Sequence, residues 1–503
     1  MRECRGLDSG HFPANVPPGR LSWNALLYAM PIPHLRHLFA TVFLGSCLCC
    51  LNGRAAELLS STNLPVLTGL DSGEPNLARG PDNTLYLTWS GPGVHAGERA
   101  LYLAKLAPAA TAWSQPTIIV SSPLLMENWA DFASLIVGTD GALTAQWFQS
   151  SAKEDSHSYT GWFARSTDGG TTWTASAPLG EEFVSLAPLS GGRTLAVWLE
   201  SAHLHDPHAP RIKHGAHAAP SSKASALSHA PSMRLRARLL SAHGSTEQDW
   251  IVDPDVCSCC QTSLAVLPGD RAIVTYRGHT ADEIRDHCVS LFTGVGWTPP
   301  RPLHHDEWKI AACPVNGPAV DTQGEHTAIA WFTAAQGAAR VQAKLSVDGG
   351  LTFGPALPLD LGRPIGRLDL VMLADGSAII SWLEARTEKN RAGLYVRRLF
   401  PDGGLSAARL LTATSSIRAS GFARLAARSE NNLSVVISWT ETNPAPNAKT
   451  PAPTSVHTAE FLATALPRER ATALTSRVNH AQTVVSSDSS QLPELCAGPA
   501  SAH

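Results

Sequence analysis

The sequence predicts an all-β protein built as a β-propeller, a ring of four-stranded antiparallel sheets called blades. Three observations lead to this prediction. A strand-like run ending in an aromatic residue recurs seven times, turn residues precede most of these runs, and no long segment shows the 3.6-residue apolar period of a helix. Seven repeats favour a ring of seven blades, and six blades is the alternative.

The repeated run is a short apolar strand that ends in Trp or Tyr. The seven runs end at Trp89, Trp147, Trp198, Tyr276, Trp331, Trp382 and Trp439. Their intervals of 51 to 78 residues match the length of one four-stranded sheet with its loops. Another apolar run precedes each aromatic run and a third follows it. Each repeat therefore predicts a first and second strand joined as a hairpin, with a third strand behind them.

Two copies of one eight-residue pattern lie 180 residues apart, at 166–173 and 346–353. Both read Ser-x-Asp-Gly-Gly-x-Thr followed by an aromatic residue. This composition predicts a tight turn in which Asp168 or Asp348 accepts backbone N–H bonds, the glycines adopt positive φ and the aromatic residue packs against the sheet. Such a turn is structural and by itself implies no activity.

The two motifs resemble the Asp-box, or BNR, repeats of the sialidase-like β-propellers, and the resemblance covers most of residues 70–460 in architecture. It implies a glycan-directed protein or, if an enzyme, a glycoside hydrolase of the exo-sialidase type. Sialidases hold the substrate carboxylate with three arginines and use a tyrosine activated by a glutamate as nucleophile. This sequence departs from that set. Glu74-Pro75-Asn76 stands where the enzymes carry Arg-Ile-Pro, and the one tyrosine that borders a loop, Tyr159, has no arginines beside it.

Half of the ten cysteines lie between residues 257 and 313, at Cys257, Cys259, Cys260, Cys288 and Cys313. In the repeat register, the first three precede the first strand of the fourth repeat, and Cys313 precedes that of the fifth. Loops entering a first strand open on the funnel face, around the propeller axis, so we expect these side chains to cluster there. The cluster forms disulfides, as is usual outside the cytoplasm, or is redox active, or binds copper or zinc through thiolates. In a metal site, His279, His287, His304 or His305 would be further candidate ligands.

A charged loop follows the second strand of the fourth repeat and opens on the same face. Its charged residues are Arg277, Asp282, Glu283, Arg285 and Asp286. They are the candidate catalytic residues, because guanidinium and carboxylate groups there could bind a glycan or another small ligand near blades four and five. In the alternative interpretation, these residues form salt bridges that shape the loop.

The composition fits a soluble, extracytoplasmic protein. The 503 residues are 44% hydrophobic and 16% charged, with a formal net charge of −3. Such a chain can bury a large core but offers no basic surface for nucleic acid. No apolar stretch reaches the roughly 18 residues that a membrane span needs.

The first 56 residues predict a targeting segment. Residues 38–47 form an apolar run preceded by Arg36, which is the layout of a secretory signal, and Met30 is the expected start of that signal. Residues 44–47 also resemble a bacterial lipobox, which would attach lipid to Cys47. The alternative is soluble export after cleavage near Ala55 or Ala56. We expect a periplasmic or extracellular protein, or an outer-membrane lipoprotein.

The remainder of the chain predicts one propeller domain over residues 57–467 and a disordered tail over 468–503, which is rich in Ser, Ala and Thr. Six histidines fall between residues 203 and 229, inside an insertion in the third repeat. Such a tract either is a solvated loop or binds a divalent metal weakly.

Overall fold

The computed structural model describes residues 57–152, 155–202, 233–429, 433–442 and 453–469. Within these ranges, 28 strands form seven four-stranded antiparallel sheets, and the helical segments are four 3-10 turns of three residues each. The structure is therefore a seven-bladed β-propeller, which confirms the predicted fold. The predicted signal segment, the histidine-rich insertion and the chain beyond Glu469 lie outside the described residues. No helix among the described residues is long and apolar enough to cross a membrane.

The strands follow one another blade by blade after an initial short strand, β1 (Thr62–Asn63). Blade one contains β2 (Gly73–Arg79), β3 (Leu85–Pro92), β4 (Arg99–Leu106) and β5 (Thr117–Ser122). Blade two contains β6 (Ser134–Val137), β7 (Leu143–Ala152), β8 (Asp155–Ser166) and β9 (Ala177–Pro178). Blade three contains β10 (Glu182–Pro188), β11 (Thr194–Ser201), β12 (Met233–Leu240) and β13 (Thr246–Val256).

The next three blades repeat this order. Blade four contains β14 (Ser263–Leu267), β15 (Arg271–Arg277), β16 (His287–Phe292) and β17 (Arg301–Pro302). Blade five contains β18 (Ala319–Gln323), β19 (His326–Thr333), β20 (Arg340–Ser346) and β21 (Leu357–Pro358). Blade six contains β22 (Pro364–Met372), β23 (Ala378–Ala385), β24 (Arg391–Leu399) and β25 (Arg409–Ser415).

Blade seven closes the ring with strands from both ends of the domain. It contains β26 (Arg424–Ser429), β27 (Ser434–Thr442) and β28 (Thr454–Leu462), and its outermost strand is β1. Thr62 lies opposite Glu460 and Asn63 opposite Ala459. The first and last parts of the domain are thus held in one sheet.

The aromatic residue of each second strand fills the interface with the preceding blade. Trp331 of blade five, for example, packs with Leu267 and Ile273 of blade four. Six of the seven aromatic residues are at most 2% exposed, and Trp439 is half-buried. Burial of such a ring contributes several kcal/mol to stability, which explains why the aromatic run recurs in every repeat.

The strand order gives the ring two different faces. The turns between first and second strands and between third and fourth strands lie on one face, which we call the turn face. The connections from second to third strand and from one blade to the next lie on the other, the funnel face. An axial cavity of about 430 Å³ is lined by the first strands of all seven blades.

Both eight-residue turns lie on the turn face and form the predicted hydrogen bonds. Asp168 Oδ1 accepts the backbone N–H groups of Thr171 at 3.0 Å and Thr172 at 2.9 Å. Asp348 Oδ1 accepts that of Thr352 at 2.9 Å. The glycines of both turns have positive φ, between 67° and 87°. The carboxylates are therefore engaged within their own turns.

Candidate thiol site on the funnel face

Three cysteines meet in the loop that leads from β13 to β14. The sulfur atoms of Cys257, Cys259 and Cys260 all lie within 4.8 Å of one another, and those of Cys257 and Cys259 are 3.8 Å apart. Cys257 and Cys260 are each 2% exposed, and Cys259 is partly exposed. The five described cysteines form no disulfide in the structure. The sequence Cys-x-Cys-Cys thus folds so that three sulfurs converge.

A fourth cysteine approaches this group from the loop between β17 and β18. Cys313 is exposed, and its interaction with the Cys259 thiol lowers the pKa of Cys313 to about 7. The two loops touch at Gly317, whose N–H donates to Gln261 Oε1 at 2.8 Å. A Cβ added to Gly317 would lie 2.4 Å from the Gln261 carbonyl oxygen, so only glycine permits this approach.

The residues after Cys313 hold its loop against blade six. Asn316 Oδ1 accepts the N–H of Arg367 at 2.7 Å, and Asn316 Nδ2 donates to the Ile365 carbonyl at 3.2 Å. Val315 has a φ of 49°, a strained conformation for a β-branched residue. Such strain persists only where surrounding contacts fix the backbone, so the position of the loop beside Cys313 is firmly determined.

Two arginines donate hydrogen bonds to the sulfurs. Arg277 Nε lies 3.3 Å from Cys260 Sγ, and Arg285 Nη1 lies 3.4 Å from Cys257 Sγ. Arg277 is 2% exposed and lies 4.8 Å from the centre of the Trp308 ring. Its two Nη groups donate to the carbonyls of Arg285, Asn316 and Phe332 at 2.8 to 3.0 Å. The guanidinium groups place positive charge beside two of the three sulfurs.

This arrangement favours a thiolate at Cys257. Hydrogen bonds from the Cys259 and Cys260 thiols, together with the charges of Arg277 and Arg285, hold the pKa of Cys257 well below its ordinary value. Hydrogen bonding to Cys257 raises the pKa of Cys259, and burial raises that of Cys260 to about 12. Cys257 therefore loses its proton first, and a bound cation would be needed to stabilise the other two sulfurs as thiolates.

The charged loop contributes mainly contacts within the protein. Asp286 is 9% exposed and accepts the backbone N–H groups of Glu307 and Trp308, each at 2.9 Å. Glu283 accepts a bond from Arg285 at 2.7 Å. Asp282 is exposed. For Arg277, Glu283, Arg285 and Asp286, these are the contacts expected if the charged residues shape the loop.

Cys288 is separated from the other cysteines. It lies opposite Tyr276 in the sheet, whereas Arg277, which bonds to Cys260, lies opposite His287. Because successive side chains of a strand point to opposite faces, Cys288 lies on the other side of blade four. Its sulfur is 4.0 Å from the carbonyl oxygen of Asp286. The expectation that Cys288 would join the cluster is wrong.

His279, a candidate ligand in the sequence, contacts two carboxylates, and three further residues of the site, Glu182, Gln261 and Asn316, were not identified from the sequence. His279 Nδ1 lies 2.7 Å from Asp255 Oδ1, and His279 Nε2 lies 3.4 Å from Glu283 Oε2, which extends the ionic contacts of Arg285. Glu182 lies near Cys313, and burial, with smaller effects of Glu181 and Cys313, raises the pKa of Glu182 to about 7. Gln261 and Asn316 adjoin the cysteine motifs in sequence, and this adjacency was the one signal that could have identified them.

No protein-family model matches this chain, and no curated protein matches it either. Among solved structures, the lectin BP39L from Burkholderia pseudomallei is similar with a TM-score of 0.52 at 10% identity, over 80% of this chain and 99% of the lectin. A protein of unknown function from Dyadobacter fermentans gives 0.42 at 13% identity, over 81% of this chain and 100% of that one. The Hadza microbial sialidase Hz136 gives 0.37 at 14% identity, over 62% of this chain and 63% of the sialidase. At this level of identity, the similarity to the lectin shows the propeller fold alone.

Proposed function

We propose that this propeller binds one thiophilic metal ion, copper(I) or zinc, through Cys257, Cys259 and Cys260 on its funnel face. The observation that carries the proposal is the convergence of the three sulfurs within 4.8 Å of one another. Thiolates are the ligands that select copper(I) and zinc in proteins.

The surroundings of the sulfurs fit such an ion. Three thiolates and one copper(I) ion together carry two excess negative charges, and the guanidinium groups of Arg277 and Arg285 match them. Each guanidinium donates to a different sulfur, so both orient the ligands as well as neutralise them. Cys313 lies in the loop that contacts the β13–β14 loop at Gly317, and it would supply a fourth sulfur to an ion that prefers tetrahedral coordination.

The glycan-directed function implied by the sequence resemblance has less support in this geometry. It relied on the charged loop, in which Arg277 and Asp286 are buried and bonded to backbone groups. Neither residue is free to bind a sugar. Thiol chemistry therefore accounts better for the arrangement at blades four and five.

The proposal includes export, because the apolar segment at 38–47 has the layout of a secretory signal. The protein would then hold its ion outside the cytoplasm, either as a soluble protein or attached to lipid through Cys47. Cell fractionation, with mass spectrometry of the mature N-terminus, tests this part of the proposal.

Metal analysis combined with thiol counting, on protein purified from the periplasm, tests the binding function. We expect one ion per chain in the wild type, and loss of that ion in Cys257→Ser and Cys260→Ser. Cys288→Ser is the matched control, because it removes a cysteine of the same segment on the other side of blade four, and it should keep the ion. A wild-type protein with no ion and with its cysteines oxidised to disulfides would contradict the proposal.

A further inference from the structure

We infer that Cys313 is the displaceable ligand of this site, whose position a cysteine thiolate of a partner protein takes when the ion is transferred. The inference rests on the proposed metal site and adds a direction of access to it. Its basis is the unequal exposure of the three converging sulfurs and of Cys313 in the adjoining loop.

The buried sulfurs are closed to an incoming ligand. Cys257 and Cys260 are each 2% exposed, and each has an arginine against its sulfur. A partner could reach neither sulfur without opening the interface between blades four and five, where Arg277 also bonds to the Phe332 carbonyl. These two cysteines would remain bound to the ion throughout a transfer.

Cys313 lies on the accessible side. Residues 311–313 are exposed, and the two that precede Cys313 are alanines, which leave room for another chain. Arg285 Nη1 donates to the Ala312 carbonyl at 3.2 Å and also to the Cys257 sulfur, so the exposed segment is attached directly to the buried thiol. Cys313 is exposed whereas Cys259 is only partly exposed, so Cys313 is the sulfur of this group that a second protein reaches first.

The transfer is a ligand exchange without redox change. The bond between the ion and Cys313 Sγ breaks as a bond between the ion and the partner's sulfur forms. If the partner's thiol arrives with its proton, that proton passes to the departing Cys313 thiolate. A thiolate is the appropriate incoming ligand, because a copper(I) or zinc site built of sulfur is matched best by another soft donor.

Chemical rescue tests the inference. In Cys313→Gly, the full-length protein should still hold one ion, with an affinity lower by at least ~10-fold. Adding the monothiol 2-mercaptoethanol should restore that affinity, because a small thiol can occupy the open position. Cys257→Gly should lose the ion and should not be rescued, because its position is buried; Cys257→Ser serves as a second variant if the glycine variant does not fold.

The outcomes separate this inference from the proposed function. If the wild type binds neither copper(I) nor zinc, the proposed site itself is wrong and the inference fails with it. If the wild type binds an ion and Cys313→Gly has unchanged affinity, or loses the ion without rescue, then Cys313 is not a displaceable ligand. Rescue of Cys257→Gly to the same extent would also overturn the inference, because access would then not depend on exposure.

Discussion

On the two faces of the propeller, the pKa values of most perturbed carboxyl groups are shifted in opposite directions. On the turn face, hydrogen bonds from neighbouring side chains and backbone groups lower the pKa of six aspartates: Asp82, Asp168, Asp270, Asp348, Asp375 and Asp402. On the funnel face, burial raises the pKa of nine carboxyl groups: Glu74, Glu127, Asp131, Glu181, Glu182, Asp253, Asp306, Glu384 and Glu441. Each turn-face carboxylate is stabilised by its own turn or an adjacent arginine, whereas the funnel-face groups are withdrawn from water without equivalent compensation.

The difference comes from burial and not from the face alone. Glu98, Glu283 and Glu388 also lie in loops of the funnel face, and hydrogen bonds lower the pKa of each of them, as in the turn-face residues. In the buried funnel-face groups, hydrogen bonds and neighbouring positive charges do not fully offset the cost of burying an ionised carboxylate. Perturbed groups of this kind concentrate at functional sites, which agrees with the position of the thiol group on the same face.

The largest loss of stability is expected on replacing Arg277, which is buried and bonds both to Cys260 and to backbone carbonyls. Arg277→Leu removes the donor to Cys260 and leaves three backbone carbonyls without their partner, so the free energy of unfolding should fall by about 3–5 kcal/mol. Chemical denaturation would measure the loss, and metal analysis of the folded fraction should show a lower ion content. A stable variant with full ion content would show that the guanidinium supports neither the fold nor the sulfurs.

The pH dependence of stability should distinguish the two faces. Burial raises the pKa of Glu181 to about 7, so its stabilising contribution is complete below about pH 4.5 and is lost as the pH rises through 7. As the pH rises, the free energy of unfolding of Glu181→Gln should therefore decrease by about 1–2 kcal/mol less than that of the wild type. This difference is smaller than the full pKa shift implies, because the group is partly exposed to solvent. Denaturant unfolding at pH 5 and pH 8 would measure it. If the free energy of unfolding changed equally between pH 5 and pH 8 in wild type and variant, the raised pKa of Glu181 would be contradicted.

For a turn-face aspartate, the contribution to stability should change with pH in the opposite direction. Hydrogen bonds from Ser346 and Thr352 lower the pKa of Asp348 to about 2, so its contribution is present above about pH 4 and is lost as the pH falls towards 2. Thermal unfolding across this acid range should show a steeper loss in the wild type than in Asp348→Asn. A steeper loss in the variant would mean that the turn does not stabilise the ionised carboxylate.

The smallest change in stability is expected when the Asp348 side chain is removed. Asp348→Ala should lower the free energy of unfolding by about 1 kcal/mol, the scale of a lost capping bond. The ion content should not change, because the turn lies on the face opposite the thiol group. Selective loss of the ion at unchanged stability would contradict the separation of the two faces.

The sequence predicted the ring because its signal is repeated. An aromatic residue must fill each interface between blades, so the pattern recurs at Trp89, Trp147 and each later second strand and can be counted. β1 gave no such signal, since two residues show no periodicity. Its role is determined by β28, almost at the other end of the domain.

For the candidate site, strand register predicted which loops lie on the same face but not the contacts of the individual side chains. Register placed Cys257 and Cys313 in loops that open on the same face, and the structure brings both loops together. Register also decides which side of a strand a residue faces, and the prediction for Cys288 did not apply that rule. The engagement of Arg277 with carbonyls and a sulfur depends on burial between blades four and five, which a run of charged residues does not reveal.

The closure of blade seven also sets an order in time. The Thr458 hydroxyl donates to the Leu64 carbonyl across 394 residues of sequence, so a ribosome finishes six blades before the strand that pairs with β1 exists. Until then the growing chain is an open arc of blades, and the first and last blades each leave one apolar sheet face uncovered. A nascent chain that stalls before Thr454 cannot close the ring, and its uncovered apolar faces would associate with those of a neighbouring chain. Pairing of β28 with β1 therefore completes the ring and covers the sheet faces through which an open arc would aggregate.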